Sequence, residues 1–275
     1  MQLMRLADVA MGQHDRVFRY SHTRVLLGAF SVLGASGGLA LFGWIQQSGL
    51  AYYVAGVLLL GLMVMSKFVL ARFRPSNWLV RLNDQGMFIQ IRSYLNHHFP
   101  AHDLTVVFIP YHEIRSVRLM NERSNIPYRD LERPLAESSY EQRRRLVEIE
   151  LTGDLSPLAQ TLAGESTKRP SSVTLYKHCP VRMTSPPFVQ VEWGVVPSPD
   201  VLVDALRRYT NIASPIEVSH DYANLEGLSR EEQETRLLSL VEAGKTLDAV
   251  YVARKLYSYD LTQARAFVEG LHGNR

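Results

Sequence analysis

The residues best suited to chemistry are His97, His98 and His102. With Asp103 they form a local cluster of imidazoles and a carboxylate able to hold a transition metal. They fall in an expected hairpin loop containing Pro100, lack helical i, i+4 spacing and have no cysteine nearby, so no metal is expected there. His112-Glu113 begins like the zinc-protease pattern HExxH, but position 116 is serine and the second ligand is missing. The single cysteine, Cys179, precedes Pro180 and has no recognisable activating base, so it reads as a packed or surface thiol. The chain carries no Walker A loop, no GxSxG elbow and no dinucleotide-binding GxGxxG. These absences lead us to expect a non-enzymatic protein without a cofactor.

The elements that would position any site begin with two long apolar runs, Val25 to Ile45 and Leu50 to Ala71. The first holds 21 uncharged residues, a length that at 1.5 Å per residue matches a hydrocarbon core about 30 Å thick. The second carries one charge, Lys67, near its end, where a long side chain can snorkel to the headgroups. Residues 25–71 are therefore expected to be a two-helix transmembrane hairpin, with a buried core hairpin of a soluble protein as the alternative. Trp44, Tyr52 and Tyr53 suit interfacial anchors. Gly34 and Gly38 have the GxxxG spacing that lets a helix approach closely, either the other helix of the hairpin or a second copy.

Basic residues set the expected orientation. Arg5, Arg16, Arg19 and Arg24 precede the first run; Lys67, Arg72, Arg74 and Arg81 lie in and after the end of the second; Gln46 to Gly49 between them has none. Positive residues stay preferentially on the cytoplasmic side, so both termini are expected to be cytoplasmic and the protein to reside in the cell inner membrane with two spans. A single cysteine suits that reducing compartment. The formal charge of +3 and pI near 9 sit largely in juxtamembrane arginines, which points to lipid headgroups rather than nucleic acid. Lys67, Arg72, Arg74 and Arg81 are the expected membrane-surface contacts, and residues 1–24 a cytoplasmic tail.

Removing the first 71 residues from 275 leaves 204, enough for one domain and a small appendage. From Trp78 the apolar period changes from helical to alternating. Trp78–Leu82 and Met87–Arg92 flank the turn Asn83-Asp84-Gln85-Gly86, and strands are expected at Thr105–Ile109, Glu113–Leu119, Leu146–Thr152, Val173–Tyr176 and Phe188–Trp193. Ser198 and Pro199 open a helix with Val201, Leu202, Ala205, Leu206 and Tyr209 on one side. About seven strands and a closing helix suggest a partly open barrel plugged at one end. Between its fourth and fifth strands, Asn121 to Arg144 is nearly neutral and reads as a solvated excursion, partly helical around Ser138 to Arg144, with a binding loop as the alternative.

The run Ile109-Pro110-Tyr111-His112-Glu113-Ile114-Arg115-Ser116-Val117 resembles the strand pattern (I/V)PY-x-(E/D)I-x-x-V of bacterial pleckstrin-homology-like (PH-like) membrane proteins. That resemblance implies a PH-like domain over 78–211, downstream of two transmembrane helices. The lysine and arginine cluster of phosphoinositide-binding PH domains is absent from the first hairpin, where only Arg81 and Arg92 flank the turn.

After an expected linker at 212–228, three helices are punctuated within 229–272: Ser229 with Glu232 and Asp260 with Gln263 make capping boxes, and Gly244 ends the first helix. Arg254, Leu261, Ala264, Arg265, Val268 and Glu269 match the spacing R-x6-L-x2-A-(K/R)-x2-V-E, which resembles helices of the ribosomal L7/L12 C-terminal domain. That resemblance implies a docking element for a protein partner, with Arg254, Arg265 and Glu269 on it.

The chain is thus expected to be a membrane-anchored α+β protein: a hairpin, a PH-like barrel and a helical unit. Its expected function is protein–protein interaction or scaffolding, with an unidentified cytoplasmic partner and the possibility of a homo-oligomer. The alternative is a regulator sensing anionic headgroups at the inner leaflet.

Overall fold

A computed structural model of the chain describes residues 1–10, 12, 14–96, 99–100, 102–129, 137–167, 179–184, 187–221, 225, 227–242 and 246–273. Strands β1 (Gln2–Arg5) and β2 (Arg16–Phe18) precede helices α1 (His22–Gln46) and α2 (Gly49–Ala71). Strands β3 (Val80–Leu82), β4 (Gly86–Gln90), β5 (Thr105–Pro110), β6 (Ile114–Arg129) and β7 (Glu137–Leu151) follow, then helix α3 (Ser156–Thr167). Strands β8 (Val181–Met183) and β9 (Phe188–Glu192) lead to helix α4 (Pro199–Leu206), then to β10 (Asn211–Ile212) and β11 (Ile216–Asp221). Helices α5 (Arg230–Glu242), α6 (Thr246–Tyr257) and α7 (Leu261–Gly273) end the chain. The chain divides into two compact units, 1–119 with 146–214 and 120–145 with 215–275.

In the first unit, α1 and α2 have 25 and 23 residues, lengths of about 37 and 35 Å. Both are long and apolar enough to cross a membrane. Leu27, Phe30, Leu41, Leu60 and Met63 are exposed, which disfavours the alternative of a soluble core hairpin, where such side chains would be covered. The helices pack through small residues: Ser36, Gly43, Ala51 and Ala55 are buried between them. A Cβ on Gly43 would sit 3.2 Å from the Ser48 carbonyl oxygen and 3.3 Å from Ala51 Cβ, so a larger residue would push the turn outward by a few tenths of an ångström. The turn is tight, with Gln47 left-handed at φ 51° and the Ala51 amide donating to Ser48 Oγ at 3.4 Å. Ser36 Oγ donates to the Ala55 carbonyl at 3.0 Å. Replacing it by Ser36→Ala is expected to cost about 0.6 kcal/mol, the average for such bonds between membrane helices, measured by reversible unfolding in mixed micelles.

Residues 1–24 are not a tail. β1 pairs antiparallel with β5, and β2 pairs antiparallel with β3, so the sheet order is β1-β5-β4-β3-β2, with both edges supplied by residues that precede the hairpin. The pairing of Met4 with Val106 and of Phe18 with Val80 spans long sequence separations. Phe18 is fully buried, its ring edge-on to Trp193 at 5.4 Å, in the core with Leu79, Ile89, Ile109 and Leu206. β3 and β4 form the expected hairpin, with Asn83 Oδ1 accepting from the Gly86 amide at 2.8 Å. A Cβ on Gly86 would lie 2.4 Å from the Ile109 carbonyl oxygen, which explains the glycine there.

The other sheet of this unit pairs β7 with β9 and β9 with β8, with β6 beside β7 and β10 outermost on β6. Among the described residues no strand pairing closes the two sheets into a barrel, and the expected single partly open barrel is replaced by two sheets. An isolated bridge, Arg19 with Val196, links them. α4 buries Leu202 and Leu206 into the shared core. The expected strand at 173–176 lies outside the described residues.

α3 has no counterpart in the expectations, although Asp154 Oδ1 accepts from the Ser156 amide at 2.9 Å and Pro157 lies in its first turn, both start signals. It carries Glu165 into the first unit's interior.

In the second unit, the stretch expected as a solvated excursion continues β6 and β7 as strands on both sides of 130–136. The expected linker contains β11, which runs parallel to β6 with Ile216 opposite Met120. α5, α6 and α7 pack around Leu237, Leu240, Ala249, Ala253, Ala264 and Val268. Both capping boxes form: Glu232 accepts from the Ser229 amide at 3.0 Å, and Gln263 donates its amide to Asp260 Oδ1 at 2.8 Å. The Ser229 hydroxyl and amide, both donating to the Glu232 carboxylate, hold its pKa below the usual range.

Candidate functional site

The end of α2 is fastened to the sheet by a collar of polar groups. Arg72 donates to the Ser21 carbonyl at 3.2 Å, its other guanidinium nitrogen donates to Tyr94 Oη, and its Cζ lies 4.4 Å from the Tyr94 ring centroid. Asn77 Nδ2 donates to the Tyr20 carbonyl at 3.1 Å and also to the Arg72 carbonyl. The Tyr20 and Tyr94 rings are 4.6 Å apart, and His22 stacks on Phe73 at 5.1 Å. Burial, with Tyr94 adding to it, pushes the Tyr20 phenol well above its usual pKa. The entry to α1 and the exit from α2 are therefore tied to each other and to β2.

Below this collar is a cavity of about 150 Å³. Ala71 and Arg74 come from the α2 exit, Ser76 from the following turn and Gln90 from the end of β4. Ser93, Tyr94, Asn96, Phe99, Pro100 and Leu104 come from the β4–β5 connection. Its floor is held by Arg92, whose side chain is 1% exposed. Arg92 Nε donates to Glu165 Oε2 at 2.6 Å, Nη1 to Asn96 Oδ1 at 3.3 Å and Nη2 to the Glu165 carbonyl, while Cζ sits 4.4 Å from the Phe99 centroid. Thr105 Oγ1 donates to the other Glu165 oxygen at 2.8 Å and accepts from Arg5 at 3.1 Å. Glu165 on α3 is the acidic partner of this buried cation.

The expected site residues separate into several places. Lys67 and Arg74 are exposed at the hairpin end, as a headgroup contact requires. Arg72 is half-buried in the collar. Arg81 is a correction: it lies in β3, its side chain 3% exposed and ion-paired to Asp15, so it is unavailable to lipid. Sequence proximity to the hairpin suggested a surface role, but β2 and β4 flank its strand and enclose it.

Gly34 and Gly38 are exposed, with no atom within 4 Å of a built Cβ, so the face between the two helices is formed by Ser36, Gly43, Ala51 and Ala55 instead. His97 and His98 lie outside the described residues; His102 is exposed, 3.9 Å from Asp103. Among the described residues no three metal-ligating side chains converge. Arg265 and Glu269 pair with each other at 2.8 Å on the exposed face of α7, whereas Arg254 is half-buried on α6. Gln90, Ser93, Tyr94, Asn96 and Phe99 were not anticipated, since neither type nor spacing marks them. Comparisons with protein-family models, curated proteins and solved structures found no match for this chain.

Proposed function

We propose that this is a non-enzymatic integral membrane protein whose hairpin spans the inner membrane twice and holds a β module against the cytoplasmic face as a platform for a protein partner. The observation that carries this reading is the five-stranded sheet built from both sides of the hairpin, β1 and β2 before it and β3 to β5 after it. A domain on a flexible tether samples many orientations; one whose paired strands β2 and β3 flank the hairpin, one before α1 and one after α2, presents a single face, which lowers the ordering cost of docking. The arginines flanking the hairpin, absent from 46–49, support cytoplasmic termini. Two sheets followed by a core-packed helix, together with the short motif at 109–117, support a PH-like reading of this module. The exposed Arg265 and Glu269 support the C-terminal helices as its second docking element.

Crosslinking in native membranes followed by mass spectrometry tests the platform: a reproducible protein partner is expected, and recovery of lipids and self-contacts alone would overturn it. The membrane reading has its own test. The protein should resist alkaline carbonate extraction, and Leu60→Arg at the lipid-facing middle of α2 should penalise insertion by about 2.5–3.5 kcal/mol and raise the extractable fraction. Equal extraction of both proteins would count against two spans.

A further inference from the structure

We propose that the cavity at the α2 exit is a binding site for the phosphate of an anionic glycerophospholipid whose headgroup carries little beyond that phosphate. The inference rests on reading α2 as a membrane span and adds a ligand to the platform. Three observations carry it. First, position: Ala71, the last residue of α2, and Arg74 line the cavity, while Leu70 and Phe73 beside them are exposed, so its mouth lies at headgroup depth. Second, chemistry: among the described residues the lining holds one cation, Arg74, with the amides of Gln90 and Asn96 and the hydroxyls of Ser76, Ser93 and Tyr94, and no carboxylate. Guanidinium with neutral donors suits a phosphate, and carboxylates would repel it. Third, size: about 150 Å³ is the share of roughly five waters and falls below the 300–1,000 Å³ of sites for larger ligands, leaving room for a phosphate but little else.

The floor is preorganised. Asn96 accepts from Arg92, Gln90 Nε2 donates to the Ser76 carbonyl at 3.0 Å, and Tyr94 is fixed by Arg72, so the wall is set before a ligand arrives. Arg74 is exposed at the mouth, so its substitution leaves the core intact.

The test is native mass spectrometry of the full chain in mild detergent with phosphatidic acid or phosphatidylcholine added, and separately with inorganic phosphate. Wild type should retain phosphatidic acid about ten-fold better than phosphatidylcholine, the scale of one charge-assisted contact. Arg74→Gln should remove that preference. Ser76→Phe, which fills the cavity without changing charge, should remove it as well. Arg24→Gln, an exposed cation at the same hairpin end and outside the cavity, should retain it. An equal loss with Arg24→Gln would mean diffuse surface charge and overturn the site. Displacement of phosphatidic acid by inorganic phosphate at equal concentration would assign the site to free phosphate and overturn the lipid. Because carbonate resistance is read separately, failure here is distinguishable from failure of the membrane reading.

Discussion

Glu165→Ala is expected to destabilise the protein by about 3–5 kcal/mol, the largest single effect we anticipate from a polar residue, measured by denaturant unfolding in mild detergent. Both partners are almost wholly buried, with side chains 1% and 2% exposed, so removing the carboxylate leaves the Arg92 guanidinium in a medium that solvates charge poorly. Water cannot replace the lost acceptor without opening the interior around α3. The cost lies in the orphaned charge rather than in the bond itself, which gives a second arm. Arg92→Met combined with Glu165→Leu should recover most of the loss, because two apolar side chains of similar volume carry no desolvation penalty. Thr105 Oγ1 and Asn96 would still lose partners, so recovery should fall short of wild type. A loss below about 1 kcal/mol for Glu165→Ala would place the pair in contact with water.

Phe18→Ala should cost a comparable 3–5 kcal/mol, because it empties a fully buried aromatic site bounded by Trp193 and the apolar residues of both sheets. The result matters because Phe18 precedes the apolar hairpin of α1 and α2. If residues 1–24 were a tail, the change would fall within a few tenths of a kcal/mol, as substitutions outside the core do. A chain begun at Trp78 would lose both edge strands, exposing the backbone of β3 and β5 and leaving the Phe18 site vacant; it should aggregate rather than fold, seen by size exclusion. A monodisperse fragment would show that the module needs neither strand.

These expectations divide by the range of the interactions behind them. Short-range patterns carried much of the secondary structure. Uncharged runs of membrane length gave α1 and α2, the Asn83 to Gly86 turn gave the β3–β4 hairpin, and Ser198-Pro199 gave the start of α4. The β1 and β2 segments escaped notice because four- and three-residue strands lack enough alternation to register, and their partners lie up to about a hundred residues away. The β6 and β7 extensions escaped for another reason: dense charge along 121–145 mimics a solvated loop when strand pairing is unseen.

The candidate site was less legible still. Arg74 stood out beside the hairpin, whereas Gln90, Ser93, Tyr94 and Asn96 become a wall only once β4 and the α2 exit meet. By itself the sequence determined two spans' worth of apolar helix, the strand-rich body and the capped helices at the C-terminus, because hydrophobic period and capping act within a few residues. Only the tertiary structure decided that the hairpin is inserted within a sheet, that Arg81 and Arg92 are buried, and that a cavity opens at the α2 exit. The physical reason is pairing at long range: a strand edge or a buried guanidinium is stabilised by a partner elsewhere in the chain, Asp15 for one arginine and Glu165 for the other, and nothing local to either arginine names that partner.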